Sequence, residues 1–146
     1  MSNEVKVDAE SIKKSAEDLV ELIKLRTFPF GMKLFENIDD MLSIKGLRTP
    51  SDGKFFTTCQ LVTQVRTAGF TLGIVQNNLR PGSSCGANIG LEIVPEDVSS
   101  GQKMTGVWFG NQEAAAKHQA QMPRVEAGKY TGLAASPLRT GRLDPP

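Results

Sequence analysis

The length and charge of this 146-residue chain limit the kinds of protein that it can be. The length fits one domain with a sizeable core and excludes a second complete one. With 17 Lys and Arg against 16 Asp and Glu, the formal net charge is +1, which excludes the basic footprint typical of nucleic-acid binding. No stretch approaches the about 18 apolar residues of a membrane span, and the N-terminus has no apolar run. We therefore predict a soluble, cytoplasmic protein that contacts neither nucleic acid nor membrane.

The first half of the chain predicts alternating helix and strand. Apolar residues repeat at helical spacing in the first element, which Asp8 or Ser11 would cap, and Pro29 stops that helix before the apolar run that follows. A connection rich in turn-forming residues comes next. The elements predicted here are, in chain order, a helix over 8–26, a strand over 30–35, a helical turn over 38–42 and a strand over 54–57. We expect residues 1–7 to be disordered.

The second half continues this alternation with shorter elements. Gly69 ends the helix that begins at the first cysteine, Pro95 ends the one that begins at the second, and Asn111 caps an alanine-rich helix. Trp108 and Phe109 are expected in the core. The elements predicted here are a helix over 59–68, a strand over 70–75, a helix over 85–93, a loop over 96–102, a strand over 104–109, a helix over 112–121, a strand over 129–135 and an irregular tail over 137–146.

Alternating helices and strands favour an α/β or α+β fold, in which helices pack on a mixed sheet within one domain over 1–146. The last predicted strand, over 129–135, is expected to form an exposed edge of that sheet near Tyr130 to Ala135. An unpaired edge strand is a template for pairing with another chain. The sequence therefore leaves open a structural role, as a homo-oligomer or as a subunit whose sheet a partner completes.

Two cysteines occur in similar local contexts, Thr57-Thr58-Cys59-Gln60 and Ser83-Ser84-Cys85-Gly86. Each follows two hydroxyl residues and precedes a predicted helix, so Thr58 and Ser84 are predicted as N-caps with the thiols in the first turns. The amides and dipole of a helix N-terminus favour a thiolate, which attacks electrophiles and binds soft metals. Because such junctions line the ligand crevice of open α/β sheets, we predict a site between Cys59 and Cys85.

The residues around the two thiols complete the predicted binding site. The loop over 80–86 has the glycine, hydroxyl and basic content of an anion-binding loop, although ordinary connecting loops share that composition and the Gly-Lys-Ser ending of a P-loop is missing. A small ligand would therefore meet thiols, backbone amides and one arginine. The predicted ligand-binding residues are Cys59, Gln60, Arg80, Ser84, Cys85 and Gly86.

The chemistry of the two thiols has several interpretations. Cys59 and Cys85 offer two soft ligands for a metal or an iron–sulfur cluster, and a symmetric dimer would supply four. One chain lacks the ligands for a closed zinc site, because His118, its only histidine, is expected at the surface. A thiol-dependent redox enzyme is an alternative, although the spacing is not Cys-x-x-Cys. Two buried packing residues would explain the thiols without any function, so whether the chain is an enzyme stays open.

The order of these motifs resembles the family known as domain of unknown function 169. The resemblance extends from about Leu19 to the C-terminus and rests on the segments Pro29-Phe30-Gly31-Met32-Lys33, Cys59-Gln60, Cys85-Gly86-Ala87 with Gly90, Gly101, Gly110-Asn111 and Ser136-Pro137-Leu138. Proteins of this family are longer bacterial and archaeal cytosolic proteins. The resemblance therefore implies that this chain corresponds to their N-terminal part. The chain would then be either a truncated form or one that a partner completes. Because the family's activity is unassigned, the resemblance implies no reaction.

Overall fold

A four-stranded mixed sheet forms the centre of the fold in the computed structural model, which describes residues 8–81, 84–140 and 142–143. The sheet has the order β1-β4-β3-β2. β4 runs antiparallel to both of its neighbours, whereas β2 runs parallel to β3. The prediction of a mixed sheet with helices packed on it is confirmed. The strands are β1 (Phe30–Phe35), β2 (Leu47–Arg48), β3 (Thr71–Val75) and β4 (Gly132–Pro137).

The helices of the described ranges vary widely in length. Asp8 caps the first by accepting a hydrogen bond from the Ser11 amide at 2.8 Å, and Asn111 caps the last by accepting one from the Ala114 amide at 2.8 Å, both as predicted. Among the described residues, no helix combines the length and apolarity that crossing a membrane requires. The helices are α1 (Ala9–Ile23), α2 (Ile38–Leu42), α3 (Thr58–Ala68), α4 (Ser84–Asn88), α5 (Glu96–Ser99) and α6 (Gln112–Gln121).

Side chains alternate along the strands and divide the core between two faces of the sheet. On one face, Leu61 and Val65 of α3 belong to a buried cluster with Leu72, Ile74, Leu133 and Ala135 of the sheet. Phe30 and Leu34 of β1 pack against this cluster, so Met32 between them points to the same side. On the opposite face, Met41 of α2 packs on Phe35 and Ala134. The α3 face is the one that carries the candidate site.

The prediction of an exposed edge at Tyr130–Ala135 is wrong. β4 pairs with β1 on one side and β3 on the other, and all six of its residues are buried. Small side chains allow β4 to lie in the interior of the sheet. A Cβ added at Gly132 would lie 2.8 Å from the Met41 sulfur. A larger residue there would therefore push α2 off the sheet. The outer strands are β1 and β2.

Two segments predicted as strands, 54–57 and 104–109, form none. In the first, Phe56 makes only an isolated parallel bridge with Leu79. In the second, the amides of Val107, Trp108 and Phe109 all donate to the carbonyl of Met104 and close a tight loop. The Trp108 side chain is 76% exposed, so its predicted place in the core is wrong. Phe109 is half-buried and lies against the exposed His118, with ring centroids 5.1 Å apart.

Three further elements differ from the sequence interpretation. The helix predicted over 85–93 ends at Asn88, because Gly90 adopts a left-handed conformation with φ of 80°. The predicted loop over 96–102 contains α5 and the start of a 3-10 turn, Gln102–Met104. The two-residue strand β2 lies in the connection predicted as turn-rich. Pro137 completes β4, a 3-10 turn follows at Leu138–Thr140, and residues 1–7, predicted as disordered, lie outside the described ranges.

Candidate ligand-binding groove

Cys59 and Cys85 line the same groove, which we call the thiol groove. It has a volume of about 460 Å³ and lies between β1, the first half of α3, and α4. Both cysteines are free and exposed to solvent, so the interpretation of two buried packing residues is wrong. The residues that line the groove are Met32, Thr58, Cys59, Val62, Thr63, Cys85, Asn88 and Ile89.

A complete capping box fixes the start of α3. The Thr57 hydroxyl accepts a hydrogen bond from the Gln60 amide at 3.1 Å, and the Gln60 side-chain oxygen accepts one from the Thr57 amide at 2.9 Å. The N-cap is therefore Thr57 rather than the predicted Thr58, and Cys59 is the second residue of the helix. Gln60, predicted to bind ligand, has its side-chain oxygen engaged in the cap.

Helical spacing places one face of α3 in the groove and another in the core. Val62 and Thr63 lie three and four residues after Cys59, so these side chains share a face of the helix. Leu61 and Val65 are fully buried on the side that packs on the sheet. The position of Cys59 therefore depends on the burial of the opposite face of its own helix.

The short helix α4 repeats the same pattern. Cys85, Asn88 and Ile89 line the groove, whereas Gly86 and Ala87 are buried beneath them. A Cβ added at Gly86 would lie 2.1 Å from the side chain of the buried Leu79, so the predicted binding residue Gly86 is a packing position. Ser84 is the first residue of α4, and its side chain and Ser83 lie outside the described part of the structure.

A single parallel bridge brings the two cysteine segments together. The Phe56 amide donates to the Asn78 carbonyl at 2.8 Å, and the Arg80 amide donates to the Phe56 carbonyl at 3.0 Å. The chain thus enters α3 and approaches α4 along two adjacent, parallel paths. Arg80 serves this bridge with its backbone, but its side chain is exposed and is not among the residues that line the groove.

Among the residues that the structure describes, no charged side chain lines the thiol groove. The described residues also contain no group of three or more His, Cys, Asp or Glu side chains placed to hold a metal ion. Glu92 lies against α4 at Gly86, where an added Cβ would meet its Oε2 at 3.1 Å. That oxygen is buried without a hydrogen-bond partner among the described residues, and burial raises the pKa of the Glu92 carboxyl.

Met32 is one of six groove residues outside the predicted ligand-binding set; the others are Thr58, Val62, Thr63, Asn88 and Ile89. Met32 lies between Phe30 and Leu34 on the α3 face of β1, and its side chain is 45% exposed although both neighbours are partly buried. Its place in an apolar strand suggested packing alone. Met32 adds a third sulfur-containing residue to the groove lining that includes the two cysteines.

A second groove, of about 360 Å³, lies beside β2 and β3 and has a different character. Arg48 and Lys54 give it positive charge. The Arg48 guanidinium lies 3.9 Å from the centre of the Phe70 ring, which is within range of a cation–π contact. Arg48 and Lys54 thus belong to a different groove from the two thiols.

A protein-family model matches residues 18–146 of this chain and is described as DUF169, uncharacterised ArCR. The chain belongs to the DUF169 family. The matched range includes β1, α3 and α4, and hence every residue of the thiol groove. No curated protein and no solved structure is significantly similar to the chain. The function of this DUF169 domain must therefore be argued from the groove itself.

Proposed function

We propose that this DUF169 domain is a binding module that holds a small ligand in the thiol groove, with Cys59 and Cys85 as the principal contacts. The observation that supports this function is the presence of two exposed, free thiols from different helices on one groove. Thiols suit ligands with a soft atom, either a soft metal ion or an electrophilic centre. Val62 and Ile89 beside them offer apolar contact to the rest of such a ligand.

The uncharged walls favour a soft ligand over the anion that the composition of loop 80–86 suggested. Anion sites use basic side chains or clustered amides, and the Arg80 side chain is not part of the groove lining. Exposed thiols remain unpaired in a reducing compartment, which fits the cytosol as the place of action.

Phenylarsine oxide is a suitable probe for the proposed function. Its arsenic forms two S–As bonds with a pair of thiols, its oxygen leaves as water with the two thiol protons, and its phenyl ring is apolar. We expect one molecule per chain, measured by intact-protein mass and by loss of both thiols from colorimetric titration. Cys59→Ser or Cys85→Ser would weaken binding by roughly a hundredfold, because the second bond becomes unavailable.

A relocated thiol provides the matched control. Ser99 is exposed on α5 and is not among the residues of the thiol groove, so Cys85→Ser combined with Ser99→Cys restores the number of thiols without restoring the pair. We expect this double variant to bind phenylarsine oxide as weakly as Cys85→Ser alone. Equal affinity of the native chain and all these variants would overturn the proposed function.

A thiol-dependent enzyme is the second candidate, since both thiols are open to solvent. A nucleophilic or redox cysteine would react with iodoacetamide at neutral pH much faster than a free thiol and faster than its neighbour. Mass spectrometry of the digested chain measures the two rates separately. Two slow, similar rates would exclude the enzyme and leave the binding module.

The third candidate, an interaction subunit, has less support because β4 is interior. A partner would have to pair with β1 or β2 instead. Light scattering over a range of concentrations distinguishes these cases, because a chain that stays monomeric does not use its own edges for assembly.

A further inference from the structure

Three sulfur-containing residues from three different elements line the thiol groove. The thiols of Cys59 and Cys85 come from α3 and α4, and the thioether of Met32 comes from β1. All three side chains are exposed, so solvent rather than packed core surrounds them. Exposed methionines on a strand are uncommon, because methionine ordinarily fills core space.

We infer that the thiol groove is a site for copper in its monovalent form, with Cys59 and Cys85 as thiolate ligands and Met32 as the thioether ligand. This inference rests on the proposed function and names the class of ligand. Thiolate and thioether donors select Cu(I) among the biological first-row ions, whereas imidazole and carboxylate suit harder or borderline ions.

The set of available ligands favours Cu(I) over zinc. A structural zinc site needs four ligands from Cys, His, Asp or Glu, and the described residues place no three of these together. A thioether adds a useful ligand only for a soft ion, so Met32 completes a three-sulfur set for Cu(I) that is too small for zinc.

The surroundings of the sulfurs are consistent with a bound monovalent ion. Two thiolates and Cu(I) carry one net negative charge, which the N-terminus of the eleven-residue helix α3 would stabilise at Cys59. Val62 and Ile89 are the apolar residues that line the groove beside the three ligands.

The test uses the full, reduced chain under anaerobic conditions, titrated with Cu(I) against the coloured chelator bathocuproine disulfonate. We expect one Cu(I) per chain and three sulfur neighbours by X-ray absorption. Met32→Leu keeps the side-chain volume and should weaken binding by roughly tenfold and leave two sulfur neighbours. Met122→Leu, at a methionine that is not among the groove-lining residues, should change neither measurement.

The outcomes separate this inference from the proposed function. Binding of Cu(I) that is unaffected by Met32→Leu, or one Cu(I) shared by two chains, would overturn the three-sulfur site. A chain that binds phenylarsine oxide through both thiols but not Cu(I) would also overturn it, while the proposed function would stand. A chain that binds neither would overturn both.

Discussion

The two helices that carry the cysteines differ in what holds them in place. α3 has eleven residues, begins with a capping box at Thr57 and ends at Gly69, which adopts a left-handed conformation. Its Leu61 and Val65 side chains are fully buried. α4 has five residues, and distant segments of the chain hold it. The Val125 amide donates to the Asn88 carbonyl at 3.2 Å, and the Gly128 amide donates to the Gly90 carbonyl at 3.0 Å. One wall of the thiol groove is therefore a capped helix that packs on the sheet, whereas backbone hydrogen bonds from Val125 and Gly128 hold the other.

The largest expected effect distinguishes the ends of the two helices. Gly90 after α4 and Gly69 after α3 both have positive φ. A Cβ added at Gly90 would lie 2.8 Å from the carbonyl oxygen of Glu126. A Cβ added at Gly69 would have Arg139 Nη2 as its nearest neighbour, at 3.5 Å. We expect Gly90→Ala to lower the free energy of unfolding by about 3 kcal/mol and Gly69→Ala by about 1 kcal/mol. Urea unfolding measures both, and equal losses would mean that segment 124–128 does not press on the end of α4.

The next effect concerns Arg124, which links α4 to α6. Its Nε donates to the Asn88 side-chain oxygen at 3.1 Å, and its Nη2 donates to the side-chain oxygen of the buried Gln119. Arg124→Met should lower stability by about 1.5 kcal/mol and also weaken the binding of phenylarsine oxide, although Arg124 does not line the groove.

Arg66 on α3 is the matched control for this prediction. Its Nη2 donates to the Thr27 hydroxyl at 3.0 Å on the exposed surface. Arg66→Met should change stability by less than about 0.5 kcal/mol and leave binding of the probe unchanged. If the two arginine variants bind the probe equally well, Arg124 does not position the α4 wall.

The smallest effect is a pH dependence at Glu92, which follows α4. Burial raises the pKa of its carboxyl in the folded chain. The charged carboxylate therefore lowers the free energy of unfolding at neutral pH. This loss of stability disappears as the pH falls through the folded pKa toward the ordinary value, because the carboxyl becomes protonated. Glu92→Gln should stabilise the chain at neutral pH by less than about 1 kcal/mol, with the gain lost in acid. A gain that is equal at neutral and acid pH would show that the carboxylate charge is not the cause.

The features that can be predicted from the sequence are those that depend on interactions between neighbouring residues. Asp8, Asn111 and Gly69 mark helix ends through bonds to residues a few positions away, and the structure has helix ends at all three. The shared site of the two thiols was predicted from their local contexts, but the bridge between Phe56 and Leu79 that creates it is not visible in the sequence.

The errors share a physical cause, which is tertiary context. Nothing in the local sequence of β4 indicates that two strands flank it, and only the packing of Met41 explains why position 132 is a glycine. The apolar run over 104–109 resembles a strand, but Gly106 at φ of 77° permits a turn that exposes Trp108. Met32 became a candidate ligand only when the sheet placed it beside α3 and α4.

The most direct test of the central claim is to cross-link the two thiols with dibromobimane, which becomes fluorescent when both of its bromomethyl groups have reacted. In the folded, reduced chain we predict one intramolecular bridge between Cys59 and Cys85, with loss of two bromides and no change in oligomeric state. Cys85→Ser combined with Ser99→Cys should lose the fluorescence. Two separate adducts per native chain, or bridges only between chains, would contradict a shared groove.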